Sequence, residues 1–409
     1  MGEWQNVKIK DICNLKRGAS PRPISDPKYF GGGAGWIRIS DVTSSKNYLR
    51  TTEQKLSLLG ESKSVKVHPD EVIMSICATI GRPVIVDVEA CIHDGFVVFK
   101  DLNKNVDNKY FLYFLKAKEE YFNSLGQHGT QKNLNTGIVN MTEILLPPLQ
   151  EQQKIAVILS SVDEAIEKTE AIIEKTEKVK KGLMQQLFTK GIGHTKFKKT
   201  EIGEIPEEWE LVKLEDIATV DRGKFSHRPR NDPRFYGGNI PFVQTGDVTK
   251  AKGYLKVHSQ TLNKQGLGVS KLFPKGTIII TIAANIGETA IASYDVCFPD
   301  SLVGIVPNEN VNTNFLEFYL RTKKDYLDKN ATESAQKNIN LQVLKPLLVP
   351  IPSKNEQDEI AAILKSLEEK IMLETGKMES LSVIKKGLMQ DLLTGKVRVK
   401  IDEAEVTQV

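Results

Sequence analysis

The side chains of this 409-residue chain best suited to chemistry are arginines, lysines and a glutamine set in Pro- and Gly-rich segments, and the chemistry they suit is recognition. Residues 16–50 carry seven Lys/Arg (Lys16, Arg17, Arg22, Lys28, Arg38, Lys46 and Arg50) against Asp26 and Asp41. Residues 221–256 carry eight, among them Arg222, Lys224, Arg228, Arg230, Arg234 and Lys250, against three Asp, so each segment nets +5. Tyr29, Phe30, Phe235 and Tyr236 stand among these charges. Surface loops of this make-up deliver guanidinium groups to phosphates or base edges, although a solvated charged loop has the same composition. Trp36-Ile37-Arg38-Ile39-Ser40 stands in the first segment where Phe242-Val243-Gln244-Thr245-Gly246 stands in the second; Arg and Gln pair bidentately with guanine and adenine respectively. Gln131-Lys132-Asn133-Leu134-Asn135 and Gln336-Lys337-Asn338-Ile339-Asn340 add Lys132, Asn133, Lys337 and Asn338 as candidates for contacts to a phosphate backbone. Asn and Gln at a turn also satisfy local amides, which is the plainer reading of both.

Covalent chemistry finds little here. The chain has no G-x-x-x-x-G-K-[ST] phosphate loop, no Asn-Pro-Pro-aromatic motif and no H-E-x-x-H, and its six histidines do not cluster. Pro69-Asp70 with Asp107-Asn108-Lys109 is a loose match to a metal-dependent nuclease core, but Pro274-Lys275 occupies the corresponding place later in the chain. Cys13, Cys77, Cys91 and Cys297 lie far apart, which argues against structural zinc or a disulfide framework and fits a reducing cytoplasm. The most apolar stretches, Val72–Val88 and Thr277–Ala292, are interrupted by Arg82-Pro83 and Glu288, so neither a membrane span nor an export leader is expected. Net charge is only +4, so a nucleic-acid surface has to come from local clustering.

The elements that must position these residues are repeated. Trp4, Asp11-Ile12 and Arg17-Gly18 match Trp209, Asp216-Ile217 and Arg222-Gly223 at an offset of 205; Asp26-Pro27, Asp41-Val42-Thr43 and Ile80-Gly81 match Asp232-Pro233, Asp247-Val248-Thr249 and Ile286-Gly287 at 206. Gln131-Lys132-Asn133 and Lys180-Lys181-Gly182-Leu183-Met184-Gln185 match their copies again at 205. Each copy opens with a mixed α/β part: short β-rich runs (Val72–Ile76, Val84–Val88, Thr277–Ile282) and a helix over Tyr110–Glu120 or Asn314–Lys324. Each closes with a long helix. Ile155, Leu159, Val162, Ile166, Thr169, Ile173, Thr176, Lys180, Leu183 and Leu187 keep steps of four and three, and so do Ile360, Leu364, Leu367, Ile371, Glu374, Met378, Leu381, Lys385, Leu388 and Leu392. Two such stripes favour mutual pairing over a long helix lying on its own domain; polar residues at seam positions, Thr169, Thr176 and Lys180 in one copy and Glu374 and Lys385 in the other, suit either a fixed register or a docked partner protein. Ser353 with Glu356 spells a capping box, and Gly191 and Gly395 lie just past the helix ends. The expected plan is a globular domain at 1–148, a helical spacer at 149–191, a linker at 192–208, a second domain at 209–352, a second spacer at 353–396 and a tail at 397–409.

Taken in order, the Gly203-Glu204-Ile205-Pro206-Glu207-Glu208-Trp209 entry, the Pro-Pro-Leu-x-Glu-Gln and Pro-x-x-x-Asn-Glu-Gln helix starts and the paired Lys-Lys-Gly-Leu-Met-Gln helix ends resemble the specificity subunits of type I restriction-modification systems. The resemblance covers essentially the whole chain; the first copy departs from it only in lacking the Gly-Glu-Ile-Pro lead. It implies a mixed α/β fold with two target-recognition domains in tandem and pseudo-two-fold symmetry. The two long helices would pair antiparallel as a ruler. It further implies a subunit without catalysis of its own that reads a bipartite duplex DNA site, two methyltransferase subunits and two restriction-translocase subunits as partners, and S-adenosylmethionine, ATP and magnesium held by those partners rather than by this chain. A coiled-coil scaffold binding protein, and an enzyme cutting DNA alone, stay open as rivals on the residues themselves.

Overall fold

The computed structural model describes residues 3–126, 133–251, 253–283, 285–331 and 338–400. The fold is mixed α/β and divides into two compact units, the first formed by residues 1–170 with 376–409 and the second by 171–375. The units cut across the segments read from the sequence, because each takes half of both long helices. The central helix runs Leu149–Lys190 and the terminal helix Lys354–Leu392.

In the first unit a five-stranded sheet has the order Asn14–Arg17, Phe96–Lys100, Val72–Ser75, Pro83–Val86, Tyr48–Leu49. A four-stranded sheet has the order Gln54–Leu56, Phe30–Ile37, Ala90–Ile92, Val65–Val67, and Gln5–Lys8 pairs with Glu143–Leu146. The inner strands read as unbroken apolar runs because both faces are covered. Side chains alternate across a strand: Val72, Met74, Ile85, Val97 and Phe99 join the core beneath the helices, while Ile73, Val84, Val86, Phe96 and Val98 form a second core on the other face.

The second unit repeats this order strand for strand: Ala218–Arg222, Leu302–Pro307, Ile278–Thr281, Thr289–Ala292, Gly253–Leu255 in one sheet and Gln260–Leu262, Tyr236–Phe242, Val296–Cys297, Leu272–Phe273 in the other. Residues 192–208, expected as a plain linker, contain a hairpin of Phe197–Thr200 with Gly203–Pro206. The helix expected over Tyr110–Glu120 is two, Asn108–Ala117 and Glu119–Leu125, broken at Lys118 (φ −96°, ψ 2°), and the turn carries Phe122 into the core. Its counterpart breaks in the same way at Lys323.

Within each unit the two helix halves pack antiparallel. Ile155, Ala156 and Leu159 share the first unit's core with Leu392 and Leu393, and Leu187 and Phe188 share the second's with Ile360, Ala361 and Leu364. Every position of both apolar stripes is buried or half-buried, including Val162, Ile166, Ile173, Leu183, Leu367, Ile371, Met378, Leu381 and Leu388. The polar seam residues find partners on their own helix or across the seam. Thr169 and Thr176 donate to Ala165 O and Ile172 O of their own helix. Lys180 meets Glu368 at 2.9 Å, and Lys385 meets Asp163 at 2.6 Å. Asp163 and Glu368 fall one step off the apolar stripe, where a pattern of hydrophobic spacing does not look. The capping box is half formed: Ser353 Oγ accepts from the Glu356 amide at 3.4 Å, but the Glu356 carboxylate is engaged elsewhere, receiving Trp209 Nε1 at 3.0 Å and the Ile192 amide at 2.9 Å. Glu151 is its twin, receiving Trp4 Nε1 at 3.1 Å and the Arg398 guanidinium at 2.8 Å.

Asp163 also accepts from Tyr113 Oη at 2.7 Å and Asn47 Nδ2 at 2.8 Å. Burial pushes its carboxyl pKa up, but the hydrogen bonds from Asn47, Lys385 and Tyr113 outweigh that and hold it below the usual range. A depressed carboxyl pKa stabilises the fold above the unfolded value near 3.9 and loses that contribution as pH falls. Asp163→Asn, which strands the Lys385 ammonium, is expected to cost about 3 kcal/mol at pH 7 in denaturant unfolding, with the gap to the parent narrowing below about pH 4. An equal gap at pH 7 and pH 3 would remove the charge from this account.

Candidate nucleic-acid interface

In the first unit, part of the basic segment lines a cleft of about 570 Å³. Arg17, Arg22, Arg38 and Asn133, all singled out from the sequence, line it together with Gln54, Cys77, His93 and Asp94. Asp94 organises one wall. Its carboxylate receives Arg22 Nη2 at 2.7 Å and Ser20 Oγ at 2.7 Å, and its carbonyl receives Arg17 Nε at 2.9 Å. Burial raises the Asp94 pKa, yet the Ser20 hydroxyl and the Arg22 charge prevail and keep it low; burial holds neighbouring His93 below its ordinary value despite Asp94. The Tyr29 hydroxyl donates to Arg22 O at 3.0 Å, which anchors the loop from below.

Arg38 ends the long strand Phe30–Ile37 and caps the short helix Ile39–Ser44. Its amide donates to Asp41 Oδ2 at 2.7 Å, and its Nη1 donates to Gln54 Oε1 at 3.0 Å. The cap is made by backbone and aspartate, so the guanidinium itself has no structural duty and stands at the cleft.

The second unit builds the same frame from different side chains. Asp300 receives Arg230 and lies 3.6 Å from Arg228, whose Nη1 also donates to Phe225 O at 2.6 Å. Gln244 caps the helix Thr245–Lys250 through its amide to Asp247 Oδ2 at 2.8 Å, and its Nε2 donates to Gln260 Oε1 at 2.9 Å. Arg234 closes on Asp232 at 2.7 Å and lies over the Phe235 ring; this hydrogen-bonded pair holds the Asp232 carboxyl down at about 2.

Other candidates lie elsewhere. Lys46 bonds Glu170 on the central helix, and Arg50 pairs with Asp87 at 3.4 Å above the Tyr48 ring. Arg222 turns inward, donating to Ile339 O at 3.4 Å, with its Nε buried and without a partner among the described residues. Lys224 and Lys250 are exposed, and Asn338 forms a bridge with Ala283 as Asn133 does with Cys77. Lys132 and Lys337 lie outside the described residues. Sequence reasoning missed Asp94, Asp300, Gln54 and Gln260. The signal was present, since 94 to 300 and 54 to 260 keep the same spacing as Arg22 to Arg228, but a lone Asp or Gln in a loop draws no notice until its partner is seen.

Among the described residues, no group of three or more His, Cys, Asp or Glu could hold a metal ion, and no helix is long and apolar enough to cross a membrane. All four cysteines are free thiols. Burial drives Cys13 up to about 12 and Cys91 to about 11, while Cys77 is half-exposed at the cleft.

Comparison with known proteins agrees with this duplicated build. Residues 1–178 and 206–382 each match the type I restriction modification DNA specificity domain. The chain is similar to the putative type I restriction enzyme MjaX specificity subunit of Methanocaldococcus jannaschii, with 30% identity over an alignment of 423 residues covering 97% of this chain and 94% of that one. It is also similar to the MjaVIII specificity subunit of that organism, with 29% identity over 417 residues and the same coverage. Among solved structures, the S subunit of a type I restriction-modification system from M. genitalium shares the fold at a TM-score of 0.61, with 16% identity and coverage of 98% and 97%. With the domain matched in both copies and relatives alike along nearly their full length, the chain belongs to the type I restriction-modification DNA specificity family.

Proposed function

We propose that the two units each read one half of a bipartite duplex DNA site, and that this chain selects where a type I restriction-modification complex acts without contributing catalysis. The observation that carries the reading is the same arginine and aspartate frame, built twice on the same strand order, with different side chains set into it. A basic cleft supplies sequence-independent attraction to phosphates, and the donors within it supply discrimination. The long helices set the unspecified gap between half-sites and offer their outer faces to two methyltransferase subunits, which transfer the methyl group to adenine N6. Two restriction-translocase subunits complete the assembly. S-adenosylmethionine, ATP and magnesium belong to those partners, and the complex works in the cytoplasm, where its DNA is.

Three measurements test this. Affinity of the chain with its methyltransferase for cognate duplex should fall by about a thousandfold or more between 50 and 200 mM salt, as it does when six or more phosphates are neutralised; a flat response would exclude DNA as the ligand. Cognate duplex should slow iodoacetamide labelling of Cys77 at pH 8.5, with Cys13, Cys91 and Cys297 labelled only after unfolding. Labelling of Cys77 at an undiminished rate in saturating DNA would place the duplex away from the cleft. One heptad inserted into each long helix adds about 10 Å and should lengthen the methylated site's spacer by about three base pairs at 3.4 Å each, leaving both half-sites unchanged. An unaltered spacer would defeat the role of the helices as a ruler.

A further inference from the structure

Arg38 and Gln244 occupy one position of the repeat. Each is the residue before a six-residue helix, and the backbone there is nearly superposable, φ −109° and ψ 167° at Arg38 against φ −106° and ψ 167° at Gln244. Each amide is held by the equivalent aspartate, Asp41 or Asp247, and each side chain donates one N–H to the equivalent glutamine, Gln54 or Gln260. A buried aromatic ring, Trp36 or Phe242, lies two residues earlier. The backbone and the partners that aim the side chain are therefore shared, while the side chain differs in its length and head group.

That difference is informative. A contact made to a phosphate for its charge would favour a cation in both units, whereas Gln244 is neutral. A structural role would call for a cap or a core contact, and backbone and aspartate already supply the cap. What remains distinct is the pattern of donors and acceptors left over after the glutamine has taken one N–H. Arg38 retains a planar fork of donors, the complement of the O6 and N7 acceptors of guanine. Gln244 retains one N–H and its carbonyl oxygen, the donor and acceptor pair that matches adenine N7 and N6.

We infer that this position, Arg38 in the first unit and Gln244 in the second, is where the two half-sites are told apart, Arg38 reading a guanine and Gln244 an adenine, with Gln54 and Gln260 as the positioning residues that hold each head group square to the base edge. The inference rests on the DNA-reading function proposed above and assigns that function's discrimination to one residue in each unit. It also accounts for the exposure of Gln54, which lines the cleft, and of Gln260, its counterpart in the second unit.

The test is reciprocal exchange. Arg38→Gln and Gln244→Arg are made in the full chain, purified with its methyltransferase subunits, and used to select from a pool of duplex DNA carrying two randomised stretches. In Arg38→Gln one position of one half-site should turn from guanine to adenine, and in Gln244→Arg one position of the other should turn from adenine to guanine. Each switch should be about tenfold or more, the discrimination carried by a bidentate contact, with all other positions as in the parent. Gln54→Ala gives a second reading that spares the reader itself: the same guanine preference should weaken severalfold while the salt dependence stays put. Selected sites identical to the parent's in both exchanges would overturn the inference, as would a loss of affinity uniform across all sequences, which marks a phosphate contact. A parent that selects no sequence at all would overturn the DNA-reading function itself, and this inference with it, so the two failures are told apart.

Discussion

Each unit is closed by one carboxylate in the first turn of a long helix. Glu151 receives the indole of Trp4 and the guanidinium of Arg398; Glu356 receives the indole of Trp209 and the backbone amide of Ile192, with His194 Nε2 within 3.0 Å. In both cases three stretches of chain meet on a single acid: the strand that opens the unit, the helix that leaves it, and the segment that follows the other helix. An acid there also complements the positive end of the helix dipole. Glu151 is almost wholly buried. Desolvation acts to raise its pKa, and the bonds from Arg398, Trp4 and the Val399 amide hold it ionised nonetheless. Removing either acid would leave an indole and, in the first unit, a guanidinium without their acceptor, so the recognition loops sit on frames that depend on these contacts.

The same economy governs the helix pairing. Asp163 with Lys385 and Lys180 with Glu368 are equivalent positions used in opposite order, as antiparallel halves of a duplicated sequence require. Around Asp163 the first unit gathers Asn47, Tyr113 and Lys116, whose ammonium bonds the Asn47 side chain and is pulled down to about 8 by burial and by Lys385 nearby. Around Glu368 the second unit gathers Arg321, Glu317 and Thr289. The residues differ, yet both sets are satisfied networks at the junction of sheet, short helix and long helix, where a half-satisfied set would cost more than an apolar one.

Much of this was legible in the sequence, and the reason is duplication. The repeat told how many domains to expect, and the residues of both four-three apolar stripes are buried or half-buried. Hidden were the contacts that hang on tertiary pairing. Glu356 reads as half of a capping box and is instead a junction; Asp163 and Glu368 lie one step off the apolar stripes and pair with Lys385 and Lys180 across the seam. Lys46, Arg50 and Arg222 read as loop cations equal to Arg22, and the fold turns them to Glu170, Asp87 and Ile339. Composition identifies which loop is basic, but only the packing of the strand behind it decides which of its charges faces outward.

The way the helices are shared also sets an order of assembly during synthesis. The second unit is one continuous stretch, residues 171–375, whereas the first joins 1–170 to 376–409. As the chain emerges from the ribosome, the second unit can gather all its pieces while the first still lacks Lys385, Leu392 and Arg398. The recognition module translated first is therefore completed last, and until the terminal helix arrives it carries an uncovered apolar stripe from Ile155 to Ile166 and the unneutralised acids Glu151 and Asp163.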